Sequence, residues 1–162
     1  MIKKPVLDAM NEQVMYEMHS AYIYLSMAAY FEAQNLSGFA HWMRKQFNEE
    51  QAHALKFFDY ILERGEEVKL LPLAAVPTEF KSAEDVFTQT LAHEQKVTAL
   101  ITAIYEKAVA ANDVASQIFL QWFISEQVEE EANASKILDM LKKVGGNMGA
   151  LYQLDHALGK RG

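Results

Sequence analysis

Glycine and proline, the residues that most strongly interrupt regular structure, occur in this chain only at positions 5, 38, 65, 72, 77, 145, 146, 149, 159 and 162. Three stretches, 6–37, 39–64 and 78–144, carry neither residue and are rich in Ala, Leu, Glu, Gln, Lys and Met, the good helix formers. The third is too long for one globular helix, and Asn112-Asp113 is its natural break, because both side chains compete for backbone hydrogen bonds at helix ends. Four helices are predicted, near 5–34, 37–64, 82–111 and 114–143, with a short amphipathic segment at about 147–158. Pro5 suits a first helical position, Ser82 with Asp85 resembles a capping box, and Arg64-Gly65 and Lys142-Lys143 before Gly145-Gly146 mark C-terminal ends.

The links after the first and third helices are a few residues long, so each pair forms an antiparallel hairpin. Residues 65–81 are long enough to cross a bundle about 40 Å tall at ~3.3 Å per extended residue. The second and third helices are therefore expected to run parallel, in an all-α four-helix bundle with one long crossover. A length of 162 residues fits one domain over 1–162, with the bundle at about 5–143.

Composition removes several functions. There is no cysteine, so disulfide scaffolds, thiolate zinc sites and iron–sulfur clusters are excluded. The apolar run Leu73–Val76, like every other in the chain, is far below the ~20 residues of a membrane span. Lys3-Lys4 are followed by Asp8 and Glu12, unlike a secretory signal, and a cytoplasmic location is expected. The net charge of −7 with no basic patch disfavours nucleic acid and anionic membranes and favours cations.

Each helix has a core-facing seam in 3,4 spacing. The seams are Val14, Glu17, Ala21, Tyr24, Ala28 and Phe31; Phe39, Met43, Phe47, Glu50, Ala54, Phe57 and Ile61; Phe87, Thr90, Glu94, Val97, Ile101, Ile104 and Ala108; and Leu120, Phe123, Gln127, Glu130, Ala134, Ile137 and Leu141. Each is interrupted by polar residues near its middle. Glu17 and Glu50 are 33 residues apart, as are Glu94 and Gln127, and an offset of 77 carries Glu17 to Glu94 and His53 to Glu130. A repeated helical hairpin thus places polar positions around an approximate two-fold axis. Ionised carboxylates facing one another in a core cost several kcal/mol each unless neutralised, and no Lys or Arg lies on the seams. Two divalent cations balance Glu17, Glu50, Glu94 and Glu130, with His53 as a nitrogen ligand. Carboxylates with one imidazole suit iron or manganese rather than copper or structural zinc.

These motifs, Glu17 with Tyr24, Glu49-Glu50-Gln51-Ala52-His53, Glu94, Glu126-Gln127 and Glu129-Glu130, closely resemble those of the non-haem bacterial ferritins, over essentially the whole chain. The resemblance implies one ferroxidase iron at Glu17, Glu50 and His53. It implies a second at Glu50 as bridge, Glu94 and Glu130, with Gln127 as a hydrogen-bonding or weak ligand. A third iron position would use Glu49, Glu126, Glu129 and Glu130. The implied activity is oxidation of Fe(II) by dioxygen or hydrogen peroxide and storage of ferric mineral in a 24-subunit homo-oligomeric shell, with Tyr24 as a candidate electron donor. Bacterioferritins and rubrerythrins carry a second Glu-x-x-His where this chain has Gln127-x-x-Glu130. Gln51 replaces the methionine that holds bacterioferritin haem, so no haem is expected.

A passive metal-binding bundle is the alternative, separable by oxygen uptake. A DNA-protecting small-cage relative places its ligands between subunits, unlike this intrasubunit set. Trp122 lies off the seam and could be packing. The other histidines, His19, His41, His93 and His156, have no ligand spacing and read as surface or interface residues. The apolar crossover Leu70–Val76 is expected to cover a neighbouring subunit at a two-fold contact. The tail stripe Met148, Leu151, Leu154 and Leu158 lies on a helix too short to be stable alone, and the resemblance puts it at the four-fold axes of the shell.

Overall fold

A computed structural model describes residues 1–162. It contains α1 (Lys4–Ala33), α2 (Ser37–Glu63), α3 (Ala83–Ala110), α4 (Val114–Val144) and α5 (Met148–Leu158). These match the predicted helices to within two residues. Pro5 sits in the first turn of α1. Ser82 caps α3 by accepting the Asp85 N–H at 3.1 Å, while Asp85 accepts the Lys81 N–H at 2.9 Å, one residue earlier than in a standard capping box. Asp113 caps α4 by accepting the Ser116 N–H at 3.1 Å, and Asn112 before it takes the left-handed conformation that closes the turn, with φ 54°.

Cross-helix contacts fix the topology. Pairings of Tyr24 with Glu94 and of Met27 with Thr90 run in opposite directions along α1 and α3. Tyr60 against Phe119 and Gln46 against Glu130 do the same for α2 and α4. Since α1 and α2 form an antiparallel hairpin closed by stacked Phe31 and Phe39, 4.9 Å between ring centres, α2 and α3 run parallel. The sequence expectation of a four-helix bundle with a long crossover holds.

The crossover is fastened along α1. Asn11 accepts the Lys69 N–H at 2.6 Å and donates to the Glu67 carbonyl at 3.3 Å, and farther up the helix Ser26 donates to the Pro77 carbonyl at 2.5 Å. Val68 and Val76 tuck against the core, whereas Leu70 stays 75% exposed. Leu70, Leu71 and Leu73 form, with Val14, Met18, Leu55 and other apolar side chains, an all-apolar groove of about 290 Å³.

All seam positions are buried except Phe47, which is half-buried. The core is divided in two. One cluster holds Tyr24, Phe31, Phe39, Met43, Phe87 and Leu141, and the other holds Met10, Val14, Phe57, Ile61, Ile101, Leu120 and Phe123. Burying each large apolar side chain contributes roughly 1.5–3 kcal/mol, and these two clusters offset the cost of the polar layer between them.

α5 docks on its own bundle. Leu151, Leu154 and Leu158 pack on the chain's own core cluster, while Met148 is 57% exposed. Most of the stripe is therefore used within the subunit, because the Asp155 carboxylate accepts the Phe39 N–H at 2.9 Å and holds α5 against the start of α2.

Candidate metal centre

The layer between the two apolar clusters is built from one or two turns of each long helix. α1 contributes Gln13 and Glu17, α2 contributes Gln46, Glu50 and His53, α3 contributes Glu94, and α4 contributes Gln127 and Glu130, all buried. No lysine or arginine is buried with them. Heptad spacing explains the arrangement: a residue that continues an apolar seam must face the bundle axis whatever its polarity.

Glu17, Glu50 and His53 form one tight group, whose ligand atoms lie within 4.8 Å of one another. His53 Nδ1 is 3.2 Å from Glu50 Oε2. Gln13 donates to Glu17 Oε1 at 2.9 Å, and Glu17 Oε2 has no hydrogen-bond partner although it is fully enclosed. Glu94 accepts from the Tyr24 hydroxyl on one oxygen and from the Gln127 amide on the other, the latter at 3.1 Å. The same amide nitrogen lies 3.2 Å from Thr98 Oγ1. Gln127 thus presents its nitrogen to Glu94 and acts as that carboxylate's hydrogen-bond partner. Glu130 Oε2 accepts from the Gln46 amide at 2.9 Å.

The electrostatics follow from crowding acids in a dry layer. Burial pushes the Glu17 carboxyl well above the usual range, and the neighbouring Glu50 charge adds to the shift. Glu50 is raised in the same direction, first by burial and then by Glu94. Burial raises Glu94 to about 7 against the opposing hydrogen bonds of Tyr24 and Gln127. Glu130 is also raised to about 7, by burial and by Glu94, with Gln46 opposing. Tyr24 is held firmly as the neutral phenol, by burial and by the charges of Glu94 and Glu50.

A donor set of hard oxygens with one imidazole nitrogen, an unpartnered buried carboxylate oxygen and no basic counter-charge fits a pair of iron ions. Each ion replaces protons that the layer must otherwise hold.

The outer acids behave differently. Glu49 is 44% exposed along its side chain and pairs with Arg161 at 2.9 Å. Glu126 is half-buried on the face toward Lys56, and Glu129 is exposed. The structure does not gather these three into a group comparable to Glu17, Glu50 and His53. Trp122 is off the seam, as read, yet its ring stands edge-on to His53 at 5.4 Å, with Lys56 Nζ 3.2 Å above the indole.

His93 corrects the surface reading. It is half-buried between α1 and α3, with Nε2 2.7 Å from Ser20 Oγ, and burial followed by the nearby His19 lowers its pKa to about 4. Sequence reasoning also missed Gln13 and Gln46, the amides that brace Glu17 and Glu130. The signal existed: they are 33 residues apart, the spacing that relates Glu17 to Glu50. Arg161 carried no such signal.

Comparison with known proteins agrees with this geometry. Residues 7–144 match a family model described as a ferritin-like domain. The chain is 43% identical over 161 residues to a bacterial non-heme ferritin of Bacteroides fragilis, covering 99% of this chain and 100% of that one. It is 38% identical to the corresponding protein of Staphylococcus haemolyticus, with coverage of 99% and 97%. An open-pore ferritin from the hyperthermophilic archaeon Archaeoglobus fulgidus superposes with a TM-score of 0.99 at 42% identity, each chain covered in full. A closed form of that ferritin, obtained by site-directed mutagenesis, gives a TM-score of 0.98 at 42% identity, with coverage of 100% of this chain and 99% of that one.

Proposed function

The chain belongs to the ferritin family, as a non-haem bacterial ferritin that stores iron and has ferroxidase activity, and we propose that the buried layer is its ferroxidase centre. Glu17, Glu50 and His53 hold one Fe(II), and Glu50, Glu94 and Glu130 hold the second, with Glu50 between them. The observation that carries this reading is the convergence of Glu17, Glu50 and His53 within 4.8 Å in a layer that has no basic side chain to neutralise it.

Fe(II) is the substrate: two ions give up one electron each, and with two protons these reduce dioxygen to hydrogen peroxide. Hydrogen peroxide as oxidant would instead be reduced to water by the same two electrons and two protons. The protein's part is to bind, orient and manage protons. Gln13 and Gln46 hold Glu17 and Glu130 by one oxygen each. Gln127 and Tyr24 fix Glu94 from both sides. The carboxylates exchange protons for metal on loading, and the flanking apolar clusters keep bulk water away. Full reduction of dioxygen to water takes four electrons and four protons, and beyond the two electrons of the iron pair a third Fe(II) and Tyr24 would supply one each. The Tyr24 O–H already points at Glu94, so a phenol that loses an electron can pass its proton to that carboxylate.

The outer acids Glu49, Glu126 and Glu129, with Glu130, take a third iron more weakly, consistent with the partial exposure of Glu49 and Glu126 and the greater exposure of Glu129. We further read the whole chain as one domain, assembling as a 24-subunit shell in the cytoplasm, with the apolar groove of Leu55, Leu70, Leu71 and Leu73 as the two-fold contact. No haem site is proposed, since Gln51 follows Glu50.

The test is anaerobic Fe(II) titration of metal-free protein followed by air, with stopped-flow absorbance and oxygen uptake, in wild type and Glu50→Ala. Two or three tight sites per subunit and fast oxidation, both lost in the variant, are expected. Tight binding without oxygen uptake would leave a passive metal bundle. The absence of binding would refute the site.

A further inference from the structure

The segment after α5 returns to the iron layer. Two glycines permit the approach: a Cβ on Gly38 would lie 1.7 Å from the Asp155 carbonyl oxygen, and one on Gly159 would lie 3.3 Å from Gly38 Cα. This close docking delivers the Arg161 side chain to the exposed flank of α2. Its guanidinium donates to the Trp42 carbonyl at 3.1 Å, to Gln46 Oε1 at 2.7 Å and to Glu49 Oε2 at 2.9 Å. The guanidinium carbon sits 4.5 Å above the Trp42 ring. The carbonyl of Arg161 lies 2.6 Å from His41 Nε2, which anchors the backbone as well.

Gln46 is the hinge of this arrangement. It is 1% exposed, its oxygen accepts from Arg161, and its nitrogen donates to Glu130 at 2.9 Å. An amide has one acceptor end and one donor end, so fixing the oxygen on Arg161 leaves the nitrogen facing Glu130. A continuous hydrogen-bonded path thus runs from the C-terminal segment to the inner iron layer, and an ion pair runs from the same guanidinium to the outer acid Glu49.

We propose that Arg161 is a positioning residue of the iron centre, fixing Gln46 against Glu130 and serving as the tethered counter-cation of Glu49 that an iron ion arriving at the outer position must displace. This rests on the reading of Glu49 as an outer iron ligand. The inner pair binds without competition from a protein cation, and the outer position binds only at the expense of an ion pair. Iron therefore fills the inner layer first. When the outer iron departs, the arginine returns and Glu49 does not stand as an extra free negative charge beside Glu50 and Glu130. Only arginine can do both tasks: its planar fork reaches several acceptors at once, whereas lysine keeps the charge without the fork.

The experiment is anaerobic Fe(II) calorimetry on the assembled full-length protein, comparing wild type, Arg161→Gln, Arg161→Lys and Glu49→Gln, with initial oxidation rates measured from pH 6 to 8. In Arg161→Gln the outer affinity rises roughly two- to fivefold, the scale of a partly exposed ion pair. Arg161→Lys restores the outer affinity toward wild type. Both Arg161 variants slow initial oxidation, because Gln46 loses the fork that orients it toward Glu130; recovery of the outer affinity but not of the rate in Arg161→Lys is a split that mere loss of packing would not produce. If Glu49→Gln abolishes a third equivalent while Arg161→Gln leaves the outer affinity unchanged, the role of Arg161 is refuted and the outer position stands. If every protein stops at two equivalents, the outer position itself is wrong and the proposal falls with it. Should the variants fail to assemble, hydrogen exchange of residues 158–162 in wild type decides: it rises on the third equivalent of Fe(II), and unchanged exchange overturns the proposal.

Discussion

Four glutamates share one dry layer, so at the scale of single residues the metal-free protein is governed by protons. Glu94 and Glu130 are raised to about 7 in the folded chain, above the ordinary carboxylate value they take when unfolded. The native state therefore holds more protons than the unfolded state between roughly pH 4.5 and 7. The stability associated with these protons is present at the acid end of that window and is lost as pH rises through about 7. Metal-free protein is expected to melt at lower temperature at pH 8 than at pH 6, and Glu94→Gln to flatten that slope. Thermal unfolding in chelator across this range checks both, and a profile that rises toward pH 8 would contradict the raised carboxyls. Iron inverts the dependence, because ligands must shed protons to bind. Fe(II) binding is expected to weaken as pH falls below about 7, a higher window than isolated carboxylates would give, and to release more protons at pH 6.5 than at pH 8 in an unbuffered titration. Gln13 stabilises the charged form of Glu17. Gln13→Leu is expected to weaken Fe(II) binding at pH 6.5 by about tenfold, the size of a hydrogen bond to a charged group, with a smaller loss at pH 8.

At the scale of elements, the ends of the helices carry caps and an arginine–carboxylate pair. Asp113 caps α4 and also receives Arg64 from the end of α2, at 3.1 Å, so one carboxylate joins the two hairpins. Its pKa is lowered by the Ser116 and Arg64 hydrogen bonds despite partial burial. Asp113→Ala is expected to cost about 2 kcal/mol, more than the ~1 kcal/mol of a simple cap, because Arg64 loses its partner. Ser82→Ala, a cap without that second role, is expected to cost about 1 kcal/mol; equilibrium unfolding of the two variants at one pH measures the difference. α5 depends on Gly38 in the same way that α4 depends on Asp113. A side chain at Gly38 collides with the Asp155 carbonyl, so Gly38→Ala is expected to undock α5. The readout is protease cleavage in 145–160 at a concentration that leaves wild type intact.

At the scale of the whole molecule, the crossover is tied to α1 at both ends yet leaves Leu70, Leu71 and Leu73 facing outward beside Leu55. An apolar groove of this kind on a chain with net charge −7 is poorly suited to bulk water. Leu71→Arg places a charge in that groove and is expected to reduce the proposed 24-subunit shell to small oligomers, seen by light scattering, while helical content is retained. The geometry of the pores is a finer matter. For the archaeal open-pore relative a closed form was engineered by site-directed mutagenesis, and this chain superposes on both with TM-scores of 0.99 and 0.98, so the subunit fold alone does not select between them.

The sequence by itself determined the helices, their order and the polar layer. Local signals suffice for these: breakers at few positions, caps at Ser82 and Asp113, and seams whose period sends Glu17, Glu50, Glu94 and Glu130 inward with their apolar neighbours. The repeat of 33 residues even encoded the bracing pair Gln13 and Gln46, although only the folded chain shows that Gln46 serves Glu130 on a different helix from the one its spacing suggests. Tertiary structure alone decided the rest. His93 is half-buried because α1 lies across it, and the α5 stripe is covered because Asp155 finds the start of α2. Arg161 reaches Glu49 across 112 residues of sequence. None of these has a periodic signature, since a contact between distant segments depends on where whole helices come to rest, and that is settled by the packing of the core.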